Sequence, residues 1–189
     1  MAEPIIVCIH TDPFYFYTVG RLRDMVARHL KQPCMMVCLT DQPEQCDGVV
    51  FIDIKEMALP GQWAKMLLFE PDWRGQHKII YFDLDTVIIN DITPLMAVPG
   101  EFAICENRLR IPSRYSSSVM VIGGGMAGFV WASFNKRREA LMQEHQSHEA
   151  CIEALVPDAA ILQRLLPKGF FIDHLTPTPF PTATAVIAR

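Results

Sequence analysis

In Lys78-Ile79-Ile80-Tyr81-Phe82-Asp83-Leu84-Asp85-Thr86, a short apolar run ends abruptly in two carboxylates one residue apart. Its isoleucines and aromatics suit a buried β-strand, and the run is too short for an ordinary helix. In an extended chain Asp83 and Asp85 point to the same face, as two ligands of one ion must. Hard divalent cations such as Mg²⁺ and Mn²⁺ prefer carboxylate oxygens, and they tolerate few of them when diphosphate oxygens complete the shell. A lone D-x-D is nevertheless a weak signal, because an Asp at a strand end also serves as a turn-former or helix cap.

The sequence before this point alternates strand-like and helix-like segments. Pro4 to His10 reads as a strand, and Tyr17 to Leu30 carries Val19, Leu22, Met25, Val26 and Leu30 at helical spacing. Met35 to Leu39 and Val49 to Ile54 read as further strands, and Gln62 to Phe69 as a short helix. This rhythm predicts an α/β sheet covered by helices, in the doubly wound style. In such sheets ligands bind beyond the carboxyl ends of the strands, which is where Asp83 and Asp85 stand. Beyond them, strands are expected at Glu101 to Cys105, Ser117 to Ile122 and Phe170 to Asp173, with a basic loop from Glu106 to Arg114. Helical stretches are expected at Ala127 to His145 and Asp158 to Leu166. Gly123-Gly124-Gly125 lacks the spacing of a phosphate loop and reads as a tight strand-to-helix turn. Thr176 to Arg189, TPTPFPTATAVIAR, reads as an extended tail, so the domain is placed at 1–174 and the tail at 175–189.

The chain of 189 residues suffices for one domain with a real core. Its net charge of −4 and its lack of a basic stripe argue against nucleic acid as a partner. Lys136-Arg137-Arg138, the densest basic cluster, reads as a solvated helix face. Cys8, Cys38 and Cys105 lie in apolar runs, where a thiol acts as a small hydrophobe, and Cys34 and Cys38 lack the second ligand pair of a zinc site. No apolar run is long enough for a membrane span or a signal-peptide core, which makes a reducing cytoplasm the default setting.

The run Trp63 to Leu95 (WAKMLLFEPDWRGQHKIIYFDLDTVIINDITPL), with Cys38 to Asp41 upstream and Ser116 to Gly125 downstream, resembles bacterial nucleotide-diphospho-sugar transferases. These have the glycosyltransferase A fold and are related to glycosyltransferase family 8, so the resemblance implies an α/β fold with a mixed, mostly parallel sheet flanked by helices. The similarity covers roughly residues 4 to 166, and the ordered set of blocks is specific where the D-x-D alone is not. The resemblance implies a metal-dependent transfer of a sugar from a nucleoside diphosphate, most commonly uridine diphosphate, to a hydroxyl acceptor such as a glycan. Mn²⁺ or Mg²⁺ would be the cofactor. Asp83 and Asp85 match the family's metal-contacting D-x-D, with Asp83 also facing the ribose. Lys65 matches a basic residue that approaches the donor, or is an exposed helix lysine. His10, Thr11 and Asp12 sit where the nucleotide is held, and Asp12 would take ribose hydroxyls or start the turn before Pro13. Ser117 and Ser118 match a block near the sugar, though serines opening a strand are commonly structural. Asn107 and Arg108 lie in a loop that contacts the sugar, and Asp158 matches the family's second catalytic block.

Three departures weaken the match. Ser116 stands where the family has Asn, and Asp158 is followed by Ala159 rather than Gln. The family's C-terminal H-G-x-x-K-P segment has no counterpart, which leaves His174 as the nearest third metal ligand. These changes keep open a nucleotide-sugar-binding module without turnover, and leave retention of configuration unsettled. FDLDTVI also resembles the first motif of haloacid-dehalogenase-like phosphatases, with Asp83 as nucleophile. Three strands precede it here, however, and the usual Gly after the second Asp is missing. Apolar residues in the second half favour self-association into a homo-oligomer.

Overall fold

The computed structural model describes residues 4–11, 16–42, 45–57, 59–107, 110, 112–173 and 186–188. It begins with strand β1 (Ile5–His10), helix α1 (Phe16–His29), and strands β2 (Met36–Thr40) and β3 (Val49–Asp53). A 3-10 helix over Gly61–Phe69 and a single turn α2 (Pro71–Arg74) lead to β4 (Ile79–Phe82), β5 (Val87–Ile88) and α3 (Thr93–Met96). The rest runs through β6 (Phe102–Glu106), β7 (Tyr115–Ile122), α4 (Gly124–Lys136), α5 (Arg138–Glu144) and α6 (His148–Leu155). Then come β8 (Ala160–Ile161), α7 (Leu162–Leu165), β9 (Phe171–Asp173) and β10 (Val186–Ala188).

The main sheet has the order β3-β2-β1-β4-β7-β6-β8. Pairing is parallel from β3 across to β4 and between β6 and β8, and antiparallel on both sides of β7. Alternation along the strands divides the core in two. Ile5, Val7, Ile79 and Tyr81 face a cluster with Trp63, Leu67, Val130, Phe134 and Ile152. Ile6, Cys8, Ile80 and Phe82 face the other, with Val19, Leu22, Val26 and Leu95. The sheet is thus covered on both faces, and its inner strands read as continuous apolar runs for that reason. The chain builds outward from β1 to β2 and β3, then returns to lay β4 on the other side of β1. The crevice beyond the carboxyl ends of β1 and β4 is therefore the topological switch point.

Arg74 locks the 3-10 helix onto the sheet. Its buried guanidinium donates to the carbonyls of Leu68 at 3.1 Å, His77 at 2.6 Å and Ile122 at 2.7 Å. Burial lowers its pKa to about 10, which still leaves it charged at neutral pH. Gly123 caps α4 because a Cβ there would meet the Glu101 backbone at 3.1 Å. Glu101 Oε2 in turn accepts from the Gly125 amide at 3.0 Å.

Several sequence expectations need correction. The helix expected from Ala127 to His145 breaks at Arg137 into α4 and α5. The helix expected from Asp158 to Leu166 begins instead as β8, because Ala160 and Ile161 pair with Ala103 and Ile104 of β6. Tertiary pairing overrides local propensity there. Helix α6 was not anticipated at all, although Ser147 caps it, its Oγ accepting from the Ala150 amide at 3.2 Å. Within the segment read as an unpacked tail, Val186–Ala188 pairs parallel with β9 and antiparallel with β5, and Val186 is buried.

Candidate functional site

The switch-point crevice is a cleft of about 530 Å³, bounded by Ile9, His10 and Thr11 from the end of β1 and by Gly61, Gln62, Ala64 and Lys65 from the 3-10 helix. Tyr81, Asp83, Leu84 and Asp85 complete it from the end of β4. Thr11 and Gly61 also border a neighbouring cleft of about 460 Å³ with Asp41, Lys55 and Pro60. The two form adjoining spaces along the carboxyl ends of the first strands.

Lys65 is the one position of Trp63–Phe69 that is not buried, and the other six side chains of that stretch anchor in the core. Its ammonium lies 2.7 and 2.8 Å from the two Asp83 carboxylate oxygens and donates to Ser117 Oγ at 3.0 Å. The Tyr81 hydroxyl donates to Asp83 Oδ1 at 2.5 Å. Burial, and then the Asp83 charge, raise the Tyr81 pKa well above its ordinary value, so this phenol stays a neutral donor. The Asp83 amide donates to the Ser118 carbonyl at 2.9 Å, and its carbonyl accepts from the Thr86 amide at 3.0 Å, closing the turn that carries Asp85. Asp85 is exposed on the cleft wall.

Behind Lys65 lies a layer from α6 that the sequence reading missed. Ser117 Oγ is 2.7 Å from His148 Nε2 and 3.0 Å from Glu149 Oε1, and the Ser117 amide also donates to Glu149 Oε1 at 3.0 Å. Ser117 and His148 are almost wholly buried. Burial, followed by the Lys65 charge, lowers the His148 pKa to about 3, leaving the ring neutral. Between Ile104–Met120 and Cys105–Ser116 the β6–β7 register shifts, and Ser117 to Val119 fall within that irregularity. A bulge of this kind re-aims side chains, here turning Ser117 toward Lys65. The signal available in the sequence was Ser147 ahead of His148-Glu149, a cap followed by an acidic first turn.

Of the anticipated residues, the structure brings His10, Thr11, Lys65, Asp83 and Asp85 to one cleft, with Ser117 directly behind. Ser118 is buried, pairs its hydroxyl with Ser116 Oγ at 2.9 Å, and meets Asp83 through its carbonyl. Asn107 closes its own loop, its side-chain amide donating to the Ser113 carbonyl at 3.1 Å. Asp158 is exposed in a separate cleft of about 300 Å³ with Glu106, Arg110, Arg114, Ala159 and Arg164. Asp12, Arg108 and His174 lie outside the described residues. Among the described residues, no group of three or more His, Cys, Asp or Glu side chains is gathered as a metal site, and no helix is long and apolar enough to cross a membrane.

No protein-family model matches the chain, and no curated protein matches its sequence. Solved structures do match. The glycosyltransferase GlyE of Streptococcus pneumoniae TIGR4 aligns over 87% of this chain at 16% identity and a TM-score of 0.64. The bifunctional glycosyltransferase WbbM aligns over 92% at 14% identity and a TM-score of 0.65. This chain spans less than half of either protein, 46% of GlyE and 40% of WbbM. The galactosyltransferase LgtC, solved with donor and acceptor sugar analogs, aligns over 97% of this chain and 86% of its own at 13% identity, with a TM-score of 0.69. The chain has the fold of these glycosyltransferases, as the resemblance in its sequence implied.

Proposed function

We propose that this chain is a metal-dependent glycosyltransferase that moves a sugar from a nucleoside diphosphate to a hydroxyl acceptor. The observation that carries the reading is the pairing of Lys65 with Asp83 beside the exposed Asp85, in the switch-point cleft of a glycosyltransferase fold. Two carboxylates are too few for an all-protein cage, yet they fit a cation that takes its remaining oxygens from a diphosphate. Asp85 opens on the cleft, and Asp83 retains lone pairs beyond those engaged by Lys65 and Tyr81. A bound Mn²⁺ or Mg²⁺ would supply Lewis-acid neutralisation of the leaving diphosphate.

The chain's own groups do the rest. Lys65 brings a fixed positive charge to the cleft wall, where negative charge develops on the leaving group as the glycosidic bond breaks. Because Asp83 and Ser117 already orient the ammonium, little reorganisation is needed when that charge appears. Thr11 borders both adjoining clefts, so its hydroxyl is available to a ligand that spans them, as a ribose linking base and diphosphate does. A uridine diphosphate sugar is the first donor to try. All six cysteines are free, which supports a reducing, cytoplasmic setting.

One observation favours a second reading, binding without turnover. Asp158 lies in a separate cleft and is followed by Ala159, which has no polar side chain to offer a sugar. The test is release of nucleoside diphosphate from a panel of nucleotide sugars, with Mn²⁺ and with chelator. Metal-dependent release supports the transferase, and tight binding with no release supports the module.

A further inference from the structure

At the start of α6, the buried His148 and the half-buried Glu149 converge on Ser117. Ser117 Oγ has three close polar neighbours: Lys65 Nζ at 3.0 Å, His148 Nε2 at 2.7 Å and Glu149 Oε1 at 3.0 Å. Their chemistry fixes the protons. The ammonium can only donate and the ionised carboxylate can only accept. Ser117 must then give its single proton to Glu149, receive one from Lys65, and use its second lone pair for a proton on His148 Nε2. The opposite assignment would leave a bare contact between Ser117 Oγ and Glu149, and would place the histidine proton on Nδ1, which is buried and has no hydrogen-bond partner among the described residues. An orphaned buried N–H is the costlier error.

We infer that His148 and Glu149 are positioning residues for Lys65, acting through Ser117: they hold its hydroxyl as an acceptor, so the ammonium stays fixed between Asp83 and the cleft. Glu149 clamps Ser117 twice, through its hydroxyl and its amide, and His148 fills the remaining lone pair. This proton order also leaves Ser117 without the base a nucleophilic serine needs. Its proton points to Glu149 rather than to the imidazole, and its side chain is buried behind Lys65. The inference depends on the transferase reading only for what Lys65 is positioned to meet.

The test needs no substrate. The acylation rate of Lys65 by acetic anhydride can be followed peptide by peptide in the full chain, with Lys31, Lys55 and Lys136 as internal references. Ser117→Ala, Glu149→Ala and His148→Leu should each speed Lys65 relative to those lysines by about fivefold, the ordinary net worth of one hydrogen bond. Ser117→Thr, which keeps the hydroxyl, should restore the slow rate. A variant that merely loosens the fold would also speed Lys78, a half-buried lysine that donates to the Val98 carbonyl at 2.7 Å before β4 begins, so an unchanged Lys65 ratio in all three variants, or an equal acceleration of Lys78, overturns the inference. The ¹⁵N shifts of the His148 ring give a second reading in the wild-type chain. A proton on Nε2 agrees with the assignment, and a proton on Nδ1 contradicts it. Lys65-specific acceleration in a chain that never binds a nucleoside diphosphate would uphold the positioning device and sink the transferase reading.

Discussion

The cleft around Asp83 and the cleft around Asp158 are both rich in charge, and they are built in opposite ways. In the first, Lys65 and Asp83 expose only 19% and 23% of their side chains and meet at 2.7 Å, braced by Tyr81 and Ser117. In the second, Arg110 and Arg164 are about seven-tenths exposed and share Glu106 at 3.6 and 3.5 Å. Close, partly desolvated charges are fixed in direction, whereas exposed ones are screened and reorient with the solvent. Only the first cleft is preorganised to meet charge that develops in a fixed place.

That contrast can be broken most severely at Lys65. Lys65→Met should weaken metal-dependent nucleoside diphosphate binding by about 1.5–3 kcal/mol, the range for a hydrogen bond to a charged group. Isothermal calorimetry would register it, and an unchanged affinity would mean that the pairing with Asp83 is structural only. A second effect, smaller per pH unit, separates the layers. His148 is neutral in the fold down to about pH 3 but ionises near 6.5 when unfolded, so the unfolded chain binds the extra proton between those values. Stability should therefore fall on acidification through that window, by up to about 1.4 kcal/mol per unit from this group. His148→Gln, which keeps a donor but cannot titrate, should show a shallower loss in denaturant melts between pH 6.5 and 4. Identical slopes for the two proteins would show that His148 is not a buried neutral ring. Smallest of all is Arg164→Ala, which should change stability by less than about 0.5 kcal/mol, as exposed ion pairs do. A cost several times larger would show the second cleft to be as rigid as the first.

The same contrast explains what was legible in the sequence. Asp83 and Asp85 could be found because strand β4 announces itself as a short apolar run, and the strand's end fixes where its next residues go. Lys65 lies 18 positions away, and only the resemblance to a known family pointed to it. The cap at Ser147 marks the helix that carries His148 and Glu149, but nothing in the sequence marks their place at the site, for a physical reason. They reach the site through tertiary packing of an eight-residue helix onto β7, and the register irregularity that turns Ser117 toward them leaves no periodic mark. Asp158 shows the reverse case. The resemblance matches it to a second catalytic block, and the structure sets it two residues before β8, lining the arginine-bearing cleft rather than the one around Asp83. Helix boundaries at Arg137 and around Ala160 were misplaced because chain breaks and edge pairings depend on partners far away in sequence.

Whether Asp83 and Asp85 form a metal-dependent donor site is decided by calorimetric titration of uridine diphosphate into the purified chain, with Mn²⁺ and with chelator, on wild type and Asp85→Ala. Asp85 is exposed and carries little of the fold, so its replacement should leave stability nearly unchanged. Binding should need the metal and be lost in the variant. Equal binding with and without metal, or an Asp85→Ala chain that binds as well as wild type, would contradict a metal-dependent donor site there.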